Sequence, residues 1–138
     1  MKKIFLGGTC NESTWRERLI LKLDLKKIDY FNPVVDDWTP ECQAEEIKQR
    51  ETCDYCLYVI TPKMTGVYSI AEVVDDSNKR PQKTLFCVLQ KDHDDTFTDS
   101  QIRSLDSVIK MVSNNGGKCF TRLIDVAFWL NSRNELNS

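Results

Sequence analysis

Glu72, Asp54 and the pair Asp36–Asp37 have the residue types that bond-cleaving chemistry uses. Glu72 lies in GVYSIAEVVDDS, Asp54 opens DYCLYVITP, and the aspartate pair sits in NPVVDDW. Paired carboxylates in different environments are common equipment for cleaving a glycosidic bond. One attacks or stabilises the anomeric carbon while the other moves a proton. Glu72 also has a plain structural explanation. Ser69-x-x-Glu72 has the form of a capping box, in which the serine accepts from a helix N–H and the glutamate reaches back. Catalysis requires more, namely that Glu72 stand just past the carboxyl end of a central strand, where open α/β sheets bind ligands.

The elements that would position these groups follow from hydrophobic patterning. Leu57 to Thr61, led in by Tyr55 and Cys56, is a short, nearly continuous apolar run, as expected for a strand covered on both faces. Lys3–Leu6, Ile28–Phe31, Thr84–Leu89 and Lys118–Phe120 are further strand candidates. Between them lie helical patterns. Thr14-x-x-Glu17 has capping-box form and precedes a helix with Trp15, Leu19, Ile20 and Leu23 inward, which leaves Arg16 and Arg18 in solvent. Thr39 followed by Pro40 and Glu41 starts a helix that runs to about Thr52. Pro62 to Gly66 is a loop, and the helix after it buries Ile70, Val73, Val74 and Ser77. Thr98-x-x-Gln101 caps a fourth helix that stops at Asn114–Gly117, and Leu123–Leu130 closes the chain. Strict alternation of strand and helix predicts a parallel sheet wrapped on both faces. The expected class is α/β, a single-domain Rossmann-like three-layer sandwich around a five-stranded parallel sheet. The domain spans 1–132, with 133–138 as a polar C-terminal tail.

Length and composition set the outer bounds. The 138 residues suit one domain with a real core, and 41% hydrophobic with 29% charged residues is ordinary for a folded protein. A net charge of −2 with dispersed signs argues against a nucleic-acid polymer or an anionic membrane as the main partner. No apolar run approaches the roughly 20 residues that span a bilayer, and the first one stops at Leu6. A cytoplasmic location is expected. The six cysteines are expected to be reduced and mostly buried, since Cys56 and Cys87 fall inside strand patterns. Cys53-Asp54-Tyr55-Cys56 is formally CxxC but sits at a helix-to-strand junction, whereas redox pairs sit at helix N-termini. No metal or organic cofactor is implied. Gly-x-Ser-x-Gly, P-loop and Gly-x-Gly-x-x-Gly patterns are absent.

Several loop residues complete the candidates. Gly7-Gly8-Thr9 ends the first strand, and its glycines permit close backbone approach to a ligand or a simple tight turn. Trp15 is either core or a stacking platform. Asn32, Asp36, Asp37 and Trp38 gather after the second strand, in a loop of the kind that carries function. The lone histidine, His93, stands among Asp92, Asp94 and Asp95 without convergent partners and is expected at the surface.

KIFLGGTC, NPVVDDW, CDYCLYVITP and GVYSIAEVVDDS together resemble the nucleoside 2-deoxyribosyltransferase-like family, over roughly Lys3 to Leu130. The resemblance implies a small flavodoxin-like domain with a glutamate nucleophile on the helix after the third strand. That glutamate attacks C1′ of a deoxynucleoside, releases the base, and passes the sugar to another base or to water. Glu72 matches it in position. Asp54 matches an aspartate that positions or protonates the base, and Gly7, Gly8 and Thr9 match the loop lining the sugar site. Better-known members carry glycines two and four residues before the glutamate, where this chain has Ile70 and Tyr68. They carry a serine or aspartate six residues before it, where this chain has Gly66. The pocket next to Glu72 is thus remodelled, and Tyr68 and Ser69 stand beside it as candidates to contact a ribose, a phosphate or nothing. The resemblance also implies a small-molecule nucleoside or nucleotide as partner and a homo-oligomer.

The resulting expectation is a retaining N-glycosidic transferase or hydrolase, with Glu72 as nucleophile and Asp54 or Asp37 managing the proton. Two alternatives stand beside it. One is a nucleotide-binding sensor that keeps the fold without turnover, motivated by Tyr68 and Ile70. The other is an NAD glycohydrolase.

Overall fold

The structure, a computed structural model, describes residues 1–10 and 12–136. In chain order its elements are β1 (Lys2–Gly8), α1 (Trp15–Ile20), β2 (Ile28–Phe31), α2 (Pro40–Thr52), β3 (Tyr55–Ile60), α3 (Tyr68–Lys79) and a one-turn 3-10 helix (Pro81–Lys83). They continue with β4 (Thr84–Val88), β5 (Lys91–Asp92), β6 (Asp95–Thr96), α4 (Asp99–Asn115), β7 (Lys118–Phe120) and α5 (Leu123–Leu136). The main sheet has five parallel strands in the order β2-β1-β3-β4-β7. This is the flavodoxin-like arrangement, whose strand order reverses between β1 and β3.

The strands read as apolar on both faces because both faces are covered. Ile4, Leu6, Leu57, Val59, Leu85 and Cys87 point to one side and pack with α1 and α5 through Trp15, Leu19, Val126 and Leu130. The alternating Phe5, Cys56, Tyr58, Ile60, Phe86 and Val88 point to the other, where Val73 of α3 and Leu105 and Val112 of α4 cover them. The helix ends follow their capping chemistry where the side chains engage. Thr39 Oγ1 accepts from Cys42 N at 3.2 Å. Thr98 and Gln101 form the full reciprocal box at 3.1 and 2.8 Å, and α4 ends on Gly116 at φ +107°.

Five local expectations are corrected. The Thr14–Glu17 box does not form, and Ser13 Oγ instead accepts from Trp15 N. The Ser69–Glu72 box does not form either, because α3 starts at Tyr68 with Val67 as its cap residue. Ser69 is then the second residue inside the helix, and Glu72 lies beyond its first turn. The stretch expected as a loop from Gln90 to Phe97 contains the hairpin β5–β6, closed by a two-residue turn with His93 at φ +55°. Arg16 is buried rather than solvated. The closing helix also runs to Leu136, past the expected Leu130. Positions 137 and 138 of the expected tail lie outside the described residues.

Candidate active site

A cleft of about 270 Å³ opens where the carboxyl ends of β1 and β3 diverge. This is the point of strand reversal, the usual ligand position in this architecture. Gly8, Thr9 and Cys10 form one wall, and Ile60 with the Met64–Gly66 loop forms the floor and end. Tyr68, Ser69 and Glu72 of α3 form the facing wall, with Glu46 of α2 opposite them. Ser69 and Glu72 share one helix face because three residues make nearly one turn.

The β1 wall is built by a glycine and a buried arginine. Gly8 has φ +119°, and a Cβ there would lie 2.1 Å from Val59 O. Only glycine allows β1 to turn out of the sheet this close to β3. Thr9 N then donates to Val59 O at 2.8 Å, and Thr9 Oγ1 accepts from Thr61 N at 3.0 Å. Arg16 braces the turn from behind, donating to Leu6 O at 3.0 Å and Thr9 O at 2.8 Å. Burial holds its pKa below the ordinary arginine value.

Glu72 is held over a buried ionic cluster. Its carboxylate lies 3.7 Å from Arg50 Nη1, and its side chain is only 12% exposed. Arg50, in the last turn of α2, also binds Asp76 through Nη2 at 2.9 Å and Asp75 at 3.1 Å. Arg80 donates to the same Asp76 at 2.9 and 3.1 Å, and Tyr58 Oη hydrogen-bonds Asp76 from β3. Burial opposes the Arg50 charge, but Asp76, Tyr58 and Glu72 more than restore it. Burial, then Asp76, pushes the Tyr58 hydroxyl up, so it stays a donor. Glu72 itself is pushed up to about 7. Burial is the main cause, Arg50 partly opposes it, and Glu46 and Asp76 add to it. Its burial, its cleft position and this shift make Glu72 the candidate functional carboxylate of the cleft.

The structure brings together Glu72, Ser69, Tyr68, Gly8 and Thr9. It does not bring the other candidates to this cleft. Asp54 precedes β3, at the opposite end of that strand, and accepts from Lys3 N at 2.8 Å. Asp36 and Asp37 lie exposed in the β2–α2 loop and do not line the cleft. Asn32 caps its own turn by accepting from Val34 N at 3.0 Å. Gly7 is tight against the Tyr58 ring, where a Cβ would meet ring carbons at 2.7 Å, so its close approach is to β3 and not to a ligand. Trp15 is fully buried with its Nε1 on Thr9 O at 2.8 Å, so it is core and no stacking platform. His93 stands 60% exposed at the hairpin tip. All six cysteines are free. Burial raises the Cys53 and Cys56 thiols, Cys56 to about 12, which suits packing and not redox exchange.

Glu46 and Arg50 were not anticipated. Glu46 is half-buried, and burial raises its carboxyl while Arg50 partly opposes. It makes no hydrogen bond or ion pair among the described residues. The available signal was their spacing of four in PECQAEEIKQRET, which puts both on one face of α2. Nothing in that spacing says which face meets α3.

The profile of the family described as nucleoside 2-deoxyribosyltransferase like matches residues 1–91, from β1 to the start of β5. The chain belongs to this family. The match takes in all four segments that carry the resemblance, and it ends well before Leu130. A comparison with curated proteins gives no match. Family membership points to glycosyl transfer and to a small-molecule nucleoside ligand. No helix among the described residues is long and apolar enough to cross a membrane, and no three His, Cys, Asp or Glu side chains among them could hold a metal ion.

Proposed function

We propose that the protein cleaves the N-glycosidic bond of a nucleoside or nucleotide through Glu72, with retention at C1′. The observation that carries this is Glu72 itself: a buried carboxylate, held by Arg50, facing the cleft at the strand reversal of a family fold. Ionised Glu72 attacks C1′, forming a C–O bond as the C1′–N bond breaks. The base leaves with the bonding pair and takes a proton. Glu46 suits the donor role, because burial favours its protonated form and it is otherwise unpartnered. An acceptor base or water then attacks C1′ from the opposite face and gives its proton to Glu46, and Glu72 is released. Two inversions give retention. The cleft is slightly smaller than the roughly 300–1,000 Å³ of drug-sized sites, which suits a ligand of nucleoside size.

The test is chromatographic detection of free base. The full chain is incubated with deoxynucleosides, their monophosphates and NAD, with and without an acceptor base, beside Glu72→Ala. Release that requires Glu72 supports the proposal, and acceptor dependence separates transfer from hydrolysis. Nicotinamide release identifies the NAD alternative. Saturable nucleotide binding with no release from any substrate refutes turnover and leaves the sensor.

A further inference from the structure

A second cleft, of about 540 Å³, opens on the α1/α5 side of the sheet, across it from Glu72. Arg18, Lys22, Lys91 and Arg122 line it, and no carboxylate does. The whole chain carries a net charge of −2, so four cations around one concavity are a local concentration and not a general surplus. Like charges held together repel, and a bound anion relieves that repulsion.

The cations are only partly satisfied. Arg18 spends Nη2 on the buried Asp92 at 2.9 Å, which fixes the guanidinium. Its Nε is buried with no hydrogen-bond partner among the described residues. Arg122 is oriented by Asp125 at 2.9 and 3.1 Å. The ammonium groups of Lys22 and Lys91 have no partner among the described residues, nor do the side chains of Gln90 and Thr121 on the same wall. The 14-residue helix α5 begins at this wall, and the N–H groups of a helix's first turn lack partners within the helix.

The Nη1 groups that Asp92 and Asp125 leave free on Arg18 and Arg122, together with the two ammonium groups, match phosphate oxygens, which accept from several donors at once. The volume falls in the range of organic ligand sites and exceeds what one inorganic phosphate fills. We propose that this cleft binds a small molecule bearing a diphosphate or longer phosphate chain, at a site separate from the Glu72 cleft. The proposal does not depend on the reaction assigned to Glu72.

The experiment titrates the isotope-labelled full chain with pyrophosphate, and in a second arm with ADP, at low salt. Backbone amide shifts give the site and the affinity. The Lys22→Glu/Lys91→Glu double variant is the comparison, since both side chains are exposed and can change without disturbing the core. The expected result is saturable pyrophosphate binding with shifts at residues 18, 91 and 122. The double variant should weaken it at least about tenfold, and raised salt should weaken it too. Equal affinity for ADP identifies the phosphate chain as what is read; tighter ADP binding identifies a nucleotide. Absence of saturable binding, an affinity unchanged in the variant, or shifts centred on Gly8 and Glu72 overturns the proposal.

Discussion

Replacing Glu72 by glutamine should stabilise the protein at neutral and alkaline pH while removing its activity. In the folded chain Glu72 is pushed up from 4.5 to about 7, chiefly by burial. Between those values the folded state binds more protons than the unfolded state, so stability falls as pH rises. The contribution is fully present below about 4.5 and lost by the time pH passes the folded value. At 1.36 kcal/mol per tenfold change in proton affinity, ionising Glu72 inside the fold costs roughly 3 kcal/mol. Glutamine keeps the size and carries no charge to desolvate. Urea unfolding of both proteins at pH 5 and pH 8 reads the effect directly. The variant's advantage should grow by up to roughly 3 kcal/mol between the two. Parallel pH dependences in the two proteins would refute the claim that burial sets the state of Glu72.

Three further outcomes follow from the same geometry. Because Glu72 as the proposed nucleophile must be ionised and Glu46 as the proposed donor protonated, kcat/KM should rise with pH toward about 7 and fall again at higher pH as Glu46 loses its proton; a flat profile from pH 5 to 8 contradicts this. Arg50→Met leaves the buried Asp76 with Arg80 and Tyr58 alone, which should cost on the order of 3 kcal/mol in urea unfolding. It also removes the cation that restrains Glu72, so the acid limb of the activity profile should move to higher pH. Gly8→Ala places a Cβ 2.1 Å from Val59 O at a positive φ, and thermal unfolding should show a loss of more than about 2 kcal/mol.

Some of this was legible in the sequence and some was not, for physical reasons. The strands announced themselves because a sheet covered on both faces needs apolar residues at every position, as in Leu57–Ile60 and Leu85–Val88. Glu72 stood out by its place after the third strand. Its rival explanation as a cap failed because α3 begins at Tyr68, one residue before Ser69, and boundaries of that kind are set by how the loop packs. Asp54 looked suitable by residue type, but the direction of β3 carries it to the far end of the sheet. Glu46 and Arg50 were hidden because α2 is polar nearly throughout, so no apolar stripe reveals which face turns toward α3. Arg16 looked solvated for a similar reason. Arginine in a first turn is ordinarily exposed, and only the carbonyl groups freed at the end of β1 give this one an interior place.

The most direct measurement is covalent. The protein is incubated with 2′-fluoro-deoxynucleosides, whose electron-withdrawing substituent slows loss of the sugar from the enzyme, and then digested and mapped by mass. The account predicts a sugar adduct on the peptide carrying Glu72, formed with release of one equivalent of base and absent from Glu72→Gln. Base release with no adduct on that peptide, or with an adduct on another residue, would contradict it.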